Sequence, residues 1–155
     1  MNVSMLALTL ILGLAGVVHA QAVSPDEARR FFERYVALGD AYDGAIADLY
    51  LDTSRITTLR RGPVAGQDRT LEIDGARWRG LVRAAMPVAR TRGDRSEFRN
   101  VRVEPAGELV RVLAERYAVV KCYWDRGYTM LIGRGPDGGL RIVAEHFETQ
   151  AHSSC

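Results

Sequence analysis

Apolar and polar residues recur along this chain with two different periods, helical in its first half and strand-like in its second. Ser24-Pro25-Asp26-Glu27 has the form of a helix start: the serine can cap, the proline suits the first turn, and Glu27 stands where a capping box needs its carboxylate. Ala28, Phe31, Phe32, Tyr35 and Val36 follow at helical spacing, which predicts one buried face ending at Gly39. Asp40 can cap a second, short helix with Tyr42, Ile46, Leu49 and Tyr50 on its apolar side, and Arg55 to Arg61 reads as a strand. Asp74 caps a third helix whose stripe is Trp78, Leu81, Val82, Ala85, Met86 and Ala89, with Pro87 expected to kink it or end it early.

From Phe98 the pattern predicts strands: Phe98 to Glu104, a long one from Leu109 to Trp124, then Tyr128 to Arg134 and Leu140 to Thr149. Pro105-Ala106-Gly107, Asp125-Arg126-Gly127 and Pro136-Asp137-Gly138-Gly139 punctuate them as turns. Helices first and hairpin-linked strands afterwards imply an α+β domain with N-terminal helices packed on an antiparallel sheet. No internal repeat or linker interrupts it.

The N-terminus changes the picture of where this domain works. Met5 to Val18 is apolar apart from Thr9 and small glycines, and Val18-His19-Ala20 places small residues where a signal peptidase reads them, with Ala20-Gln21-Ala22 as a second cut site. Residues 1–20 are therefore expected to be a signal peptide, cleaved after Ala20 or Ala22, although Met1 to Ser4 lacks the customary basic residue. The stretch is shorter than the ~20 residues of a membrane span. A periplasmic or secreted protein, off the membrane after cleavage, is the expectation.

Among the 155 residues, 47% are hydrophobic and 26% charged, the composition of an ordinary globular domain. The formal charge of +2 rests almost wholly on arginine, Lys121 being the only lysine. These arginines are scattered among acids, without the basic stripe of a nucleic-acid reader, so no nucleic-acid partner is expected. No metal is expected, since His146, His152 and the two distant cysteines show no ligand spacing. No nucleophile elbow is present either. Export would permit a bond between Cys122 and Cys155; the alternative is a free Cys122 and a frayed tail over residues 151–155.

The order of elements resembles the nuclear transport factor 2-like superfamily, which includes SnoaL-like cyclases and ketosteroid isomerases. The resemblance covers residues 23–150 and is carried by Glu33-Arg34-Tyr35-Val36-Ala37-Leu38, by Asp48-Leu49-Tyr50-Leu51-Asp52 leading into the first strand, and by the closing Gly139-Leu140-Arg141-Ile142-Val143-Ala144-Glu145-His146-Phe147. It implies a cone-shaped, cystatin-like fold in which a curved sheet wraps a long helix and leaves a pocket between them. Tyr35, Tyr50, Thr58, Trp78, Tyr117, Trp124, Tyr128 and Met130 would then line the pocket, with His146 as a further candidate.

An isomerase of this kind needs a tyrosine and a protonated aspartate to hold an oxyanion, and an aspartate base. Tyr35 stands at the tyrosine position, but the base position falls on Thr58 and the acidic donor on Met130, and neither can do that work. Paired histidines for a dehydratase are missing, and Arg92-Gly93-Asp94, with the spacing of an epoxide-hydrolase set, lies in a loop signal. Three functions remain open. The leading one is binding of a small, largely apolar molecule in the cone, without a cofactor. The others are a lyase, isomerase or cyclase using Tyr35 and His146, and a protein-interaction or immunity-type module, with a homodimer through the sheet as one form of it. His146 as a surface residue and Tyr35 and Trp78 as plain core are the simpler alternatives for those side chains.

Overall fold

The structure is a computed structural model that describes residues 22–155; the leader expected over residues 1–20 lies outside them. Helix α1 runs Pro25–Asp40 and begins as the sequence predicts. The Ser24 hydroxyl accepts from the Glu27 amide at 3.2 Å, and the Glu27 carboxylate accepts from the Ser24 amide at 3.0 Å. Arg134 holds the same carboxylate at 3.0 Å. These donors, led by the Ser24 amide, pull the Glu27 carboxyl from an ordinary 4.5 down to about 2. A short 3-10 helix, Gly44–Leu49, follows; its cap is Asp43, not Asp40, because Gly39 does not stop α1.

The remaining elements are β1 (Tyr50–Arg61), β2 (Arg69–Asp74), helix α2 (Gly75–Arg92), β3 (Ser96–Ala106), β4 (Leu109–Ala118), β5 (Tyr123–Arg134) and β6 (Leu140–Gln150). Helix α2 runs through Pro87 to a left-handed Gly93. Pro87 lies on the exposed side, where the carbonyl it deprives of a partner can meet water. The long strand expected over 109–124 breaks at Val119–Cys122, where Cys122 adopts a positive φ of 51°. Asp125-Arg126-Gly127, expected as a turn, lies inside β5 as a bulge. β2 has no counterpart among the expected strands.

These strands form one curved sheet in the order β2-β1-β6-β5-β4-β3. All neighbours are antiparallel except β1 and β6, which run parallel and put the last strand in the sheet's interior. Register shifts interrupt β1–β6, β3–β4, β4–β5 and β5–β6. Each bulge adds local twist and bends its strand, which lets the sheet wrap the helices. Between them the core joins Phe31 and Phe32 of α1 to Val110, Val112, Tyr128, Met130, Ile132 and Ile142 of the sheet. Phe32, 3% exposed, meets Phe98 edge-on with centroids 5.2 Å apart; burying such a ring stabilises by roughly 2–3 kcal/mol. At the far end Cys122 and Cys155 are joined as a disulfide, Cα atoms 5.2 Å apart, while the Lys121 ammonium donates to the Ala151 carbonyl.

Candidate functional site

Side chains on a regular strand alternate between faces, so the phase of β6 decides what it presents to the helices. Ile142 points into the core. Strict alternation from there would turn Ala144 and His146 inward. The register against β5 slips between Leu131 and Ile132, pairing Leu131 with Ala144 but Ile132 with Ile142, so one residue of β6 is extra. Beyond the slip the inward positions are Glu145 and Phe147, and Glu145 is 3% exposed.

A buried carboxylate needs donors, and Glu145 receives them from three tyrosines on three elements. Tyr35 of α1 donates to Oε1 at 2.9 Å, and Tyr128 of β5 donates to the same oxygen at 2.6 Å. Tyr50, where the 3-10 helix passes into β1, donates to Oε2 at 2.5 Å. Burial pushes all three phenols well above their ordinary pKa, and the Glu145 charge pushes the same way, so at neutral pH they stay protonated donors. Among the described residues no cation pairs with Glu145.

This cluster forms the floor of a cavity of about 330 Å³ between α2 and the sheet, which Tyr35, Tyr128 and Glu145 all line. Trp78, Leu81, Val82, Ala85 and Met86 of α2 make one wall. Leu81 is 46% exposed, so at this position the stripe that reads as core in the sequence borders open space, whereas Val82 is buried and Trp78 and Met86 pack against the core. Trp78 stacks at a tilt on Phe147, centroids 5.6 Å apart, and its buried indole N–H has no hydrogen-bond partner. Asp94, Arg95 and Ser96 form the rim. Arg116 completes the opposite wall: its Nη atoms donate to the Ser96 hydroxyl at 3.2 Å and the Glu148 carbonyl at 2.6 Å, while its buried Nε lies 3.5 Å from Asp125 as an ion pair without a hydrogen bond. The arrangement can seat an apolar body and offer its polar end an acceptor carboxylate among phenol donors.

No protein-family model matches the chain, and no curated protein matches it. Solved structures do. An NTF2-like protein of unknown function from Pseudomonas putida superposes with a TM-score of 0.59 at 16% identity, over 80% of this chain and 84% of that one. This is the nuclear transport factor 2-like fold. An NTF2-like protein with a cystatin-like fold from Novosphingobium aromaticivorans matches with a TM-score of 0.53 at 18% identity, over 83% of this chain and 82% of that one. The yeast UBP3-associated protein BRE5 matches at 0.56 and 13% identity, over 81% and 95%. The sequence-level resemblance to the superfamily is met at the level of fold, and these identities carry nothing further.

Within the nuclear transport factor 2-like cone, Tyr35, Tyr50, Trp78 and Tyr128 of the expected wall come together around the cavity floor. The others do not. Tyr117 and Trp124 pair across β4 and β5 with ring centroids 5.0 Å apart, on the face opposite Arg116 and Asp125, with Arg99 stacked 3.6 Å above Trp124. Met130 and Thr58 point inward but are packed in the core, Met130 beside Glu145 and Thr58 beside Phe147 in the strand register. His146 sits between Thr57 and Thr129 on the outer face, because the slip in β6 assigns the inward place to Glu145. Glu145 is the residue that sequence reasoning set aside for its strand neighbour His146. The signal that could have found it is Phe147, an aromatic in the same phase near the end of the strand.

Proposed function

We propose that this protein binds a small, largely apolar molecule in its cone, with the polar end of that molecule at the Glu145 cluster. The observation that carries the reading is the cavity left between the apolar stripe of α2 and the sheet. Trp78, Leu81 and Met86 line a cavity of about 330 Å³ between α2 and the sheet, with Trp78 reaching Phe147 at one side of it, and that volume is within the size range of small-molecule sites. Apolar surface left beside open space is costly unless something covers it. The expected export belongs to the same reading: the ligand would be met outside the cytoplasm, and N-terminal sequencing of the secreted protein should begin at Gln21 or Val23.

Screening a panel of compact aromatic and alicyclic compounds by thermal shift tests the binding. Binders should raise the melting temperature, and Leu81→Arg, at the exposed mouth, should abolish the shift without unfolding the protein. A panel that leaves the melting temperature unchanged, or shifts that survive Leu81→Arg, would remove the reading.

A second reading is proton-transfer chemistry of lyase, isomerase or cyclase type, with Glu145 in the part first given to His146 and Tyr35 as a donor. A carboxylate that touches the cavity and is surrounded by phenols supports it. Under this reading Glu145→Gln keeps ligand affinity and loses turnover, whereas His146→Ala changes neither.

A further inference from the structure

The charges around the cone do not balance. Arg95 at the rim is matched by Glu97 at 2.7 Å and Asp40 at 3.9 Å, and Arg116 on the wall is matched by Asp125 at 3.5 Å. Glu145 on the floor and Asp94 on the rim have no cation among the described residues. A carboxylate pair of oxygens offers about four acceptor positions. Tyr35 and Tyr128 occupy both on Oε1 and Tyr50 occupies one on Oε2, so one acceptor position of Oε2 has no donor among the described residues, and Glu145 lines the cavity. Tyr35, Trp78, Tyr128 and Phe147 line the same cavity with aromatic rings.

We infer that the ligand of this cone is a small organic cation, an amine carried on an apolar body, whose ammonium group meets Glu145 within the aromatic wall. The inference rests on the binding reading and narrows its chemistry. A protonated amine supplies the N–H donor that the remaining Oε2 position lacks and the positive charge that Glu145 lacks, while ring faces stabilise a desolvated cation. Asp94 at the mouth draws the same charge toward the opening. A carboxylate ligand would find the charges of Arg95 and Arg116 already matched by Glu97, Asp40 and Asp125, and a neutral alcohol would leave the floor charge unmatched.

Calorimetric titration of the full protein with three molecules of one shape tests this: 3-phenylpropylammonium, 3-phenylpropan-1-ol and 3-phenylpropanoate. The ammonium should bind at least about tenfold more tightly than the alcohol, and the carboxylate more weakly than either. Glu145→Gln should erase the preference for the ammonium over the alcohol, and Asp94→Asn, at the exposed rim and safe for folding, should weaken the ammonium by roughly twofold. Equal affinities for ammonium and alcohol would overturn the cation and leave the binding reading standing. Tightest binding of the carboxylate would overturn it in favour of the arginines. Absence of heat from all three, against positive shifts in the neutral panel, would overturn it as well; the binding reading falls only if that panel also fails.

Discussion

Replacing Tyr50 with phenylalanine isolates one hydrogen bond of the floor cluster without changing the packed volume. Tyr50 is 3% exposed, and among the described residues it alone donates to Glu145 Oε2. Its loss takes a charge-assisted bond from a buried carboxylate, worth roughly 1.5–3 kcal/mol. For a domain of this size that corresponds to a fall in melting temperature of roughly 5–10 °C. Tyr35→Phe should cost less, about 1 kcal/mol, since Tyr128 remains on the same oxygen. Urea unfolding followed by tryptophan fluorescence gives both values, and a double-mutant cycle with Glu145→Gln isolates the pairwise part. Tyr50→Phe should cost at least about 1 kcal/mol less in the Glu145→Gln background than in the wild type. The same cost in both backgrounds, or a cost for Tyr50→Phe below that of Tyr35→Phe, would refute the assignment of Tyr50 as the chief donor to the floor carboxylate.

Other consequences are open to equally direct measurement. Glu27 titrates near 2 in the folded protein against an ordinary 4.5, so its contribution to stability is complete above about 4.5 and is lost as pH falls through 2; Glu27→Gln should flatten that part of the stability profile. Asp68 and Glu115, held down by Arg61 and Arg99, add to the acid sensitivity and should remain in that variant. Reduction of Cys122–Cys155, which closes a loop with a sequence separation of 33, should lower unfolding stability by up to about 4 kcal/mol; identical melting curves with and without reductant would show that the tail is not tied down. Gly75 starts α2 so close to β1 that a Cβ would fall 1.9 Å from the Leu51 carbonyl oxygen, so Gly75→Ala should cost about 3 kcal/mol. Gly80 has nothing within 4 Å, and Gly80→Ala in the same helix should instead stabilise by about 0.5–1 kcal/mol.

Local chemistry made much of this fold legible. The capping box at Ser24 and Glu27, the Asp74 cap and the apolar stripe of α2 each signal themselves within a few residues, so both long helices follow from sequence, and so does the buried face of α1; the stripe of α2 is only partly buried because the cavity lies against it. Long-range pairing is what the sequence hides. β2 alternates Leu71 and Ile73 with polar residues too briefly to announce a strand, and it forms because β1 supplies an edge. Arg126 and Gly127 carry turn chemistry, yet β4 continues to pair on either side of them and converts the turn into a bulge. Val119 to Cys122 carry no turn signal, yet the chain reverses there. Glu145 was concealed by the same kind of event: the extra residue in β6 arises in the pairing with β5, so Ile142 and Glu145 face one way though three positions apart. Tyr35 and Tyr128 could be picked out as aromatics, but not as partners of one carboxylate, because nothing local records where their hydroxyls end.

Of the six strands described, the one that carries Glu145 comes latest in chain order and is one of the innermost in the sheet. Until Leu140 to Gln150 exist, the hairpin of β1 and β2 and the meander of β3, β4 and β5 are two separate pieces with facing raw edges. Neither can join the other, and the long sequence separation between β1 and β6 makes their docking a late, slow event. The same step that closes the sheet brings the carboxylate beneath the three waiting phenols. A chain that stalls, frays or is clipped before that strand would therefore persist as an aggregation-prone intermediate with unpaired edges, whereas one that completes it acquires its ligand floor at the moment of folding.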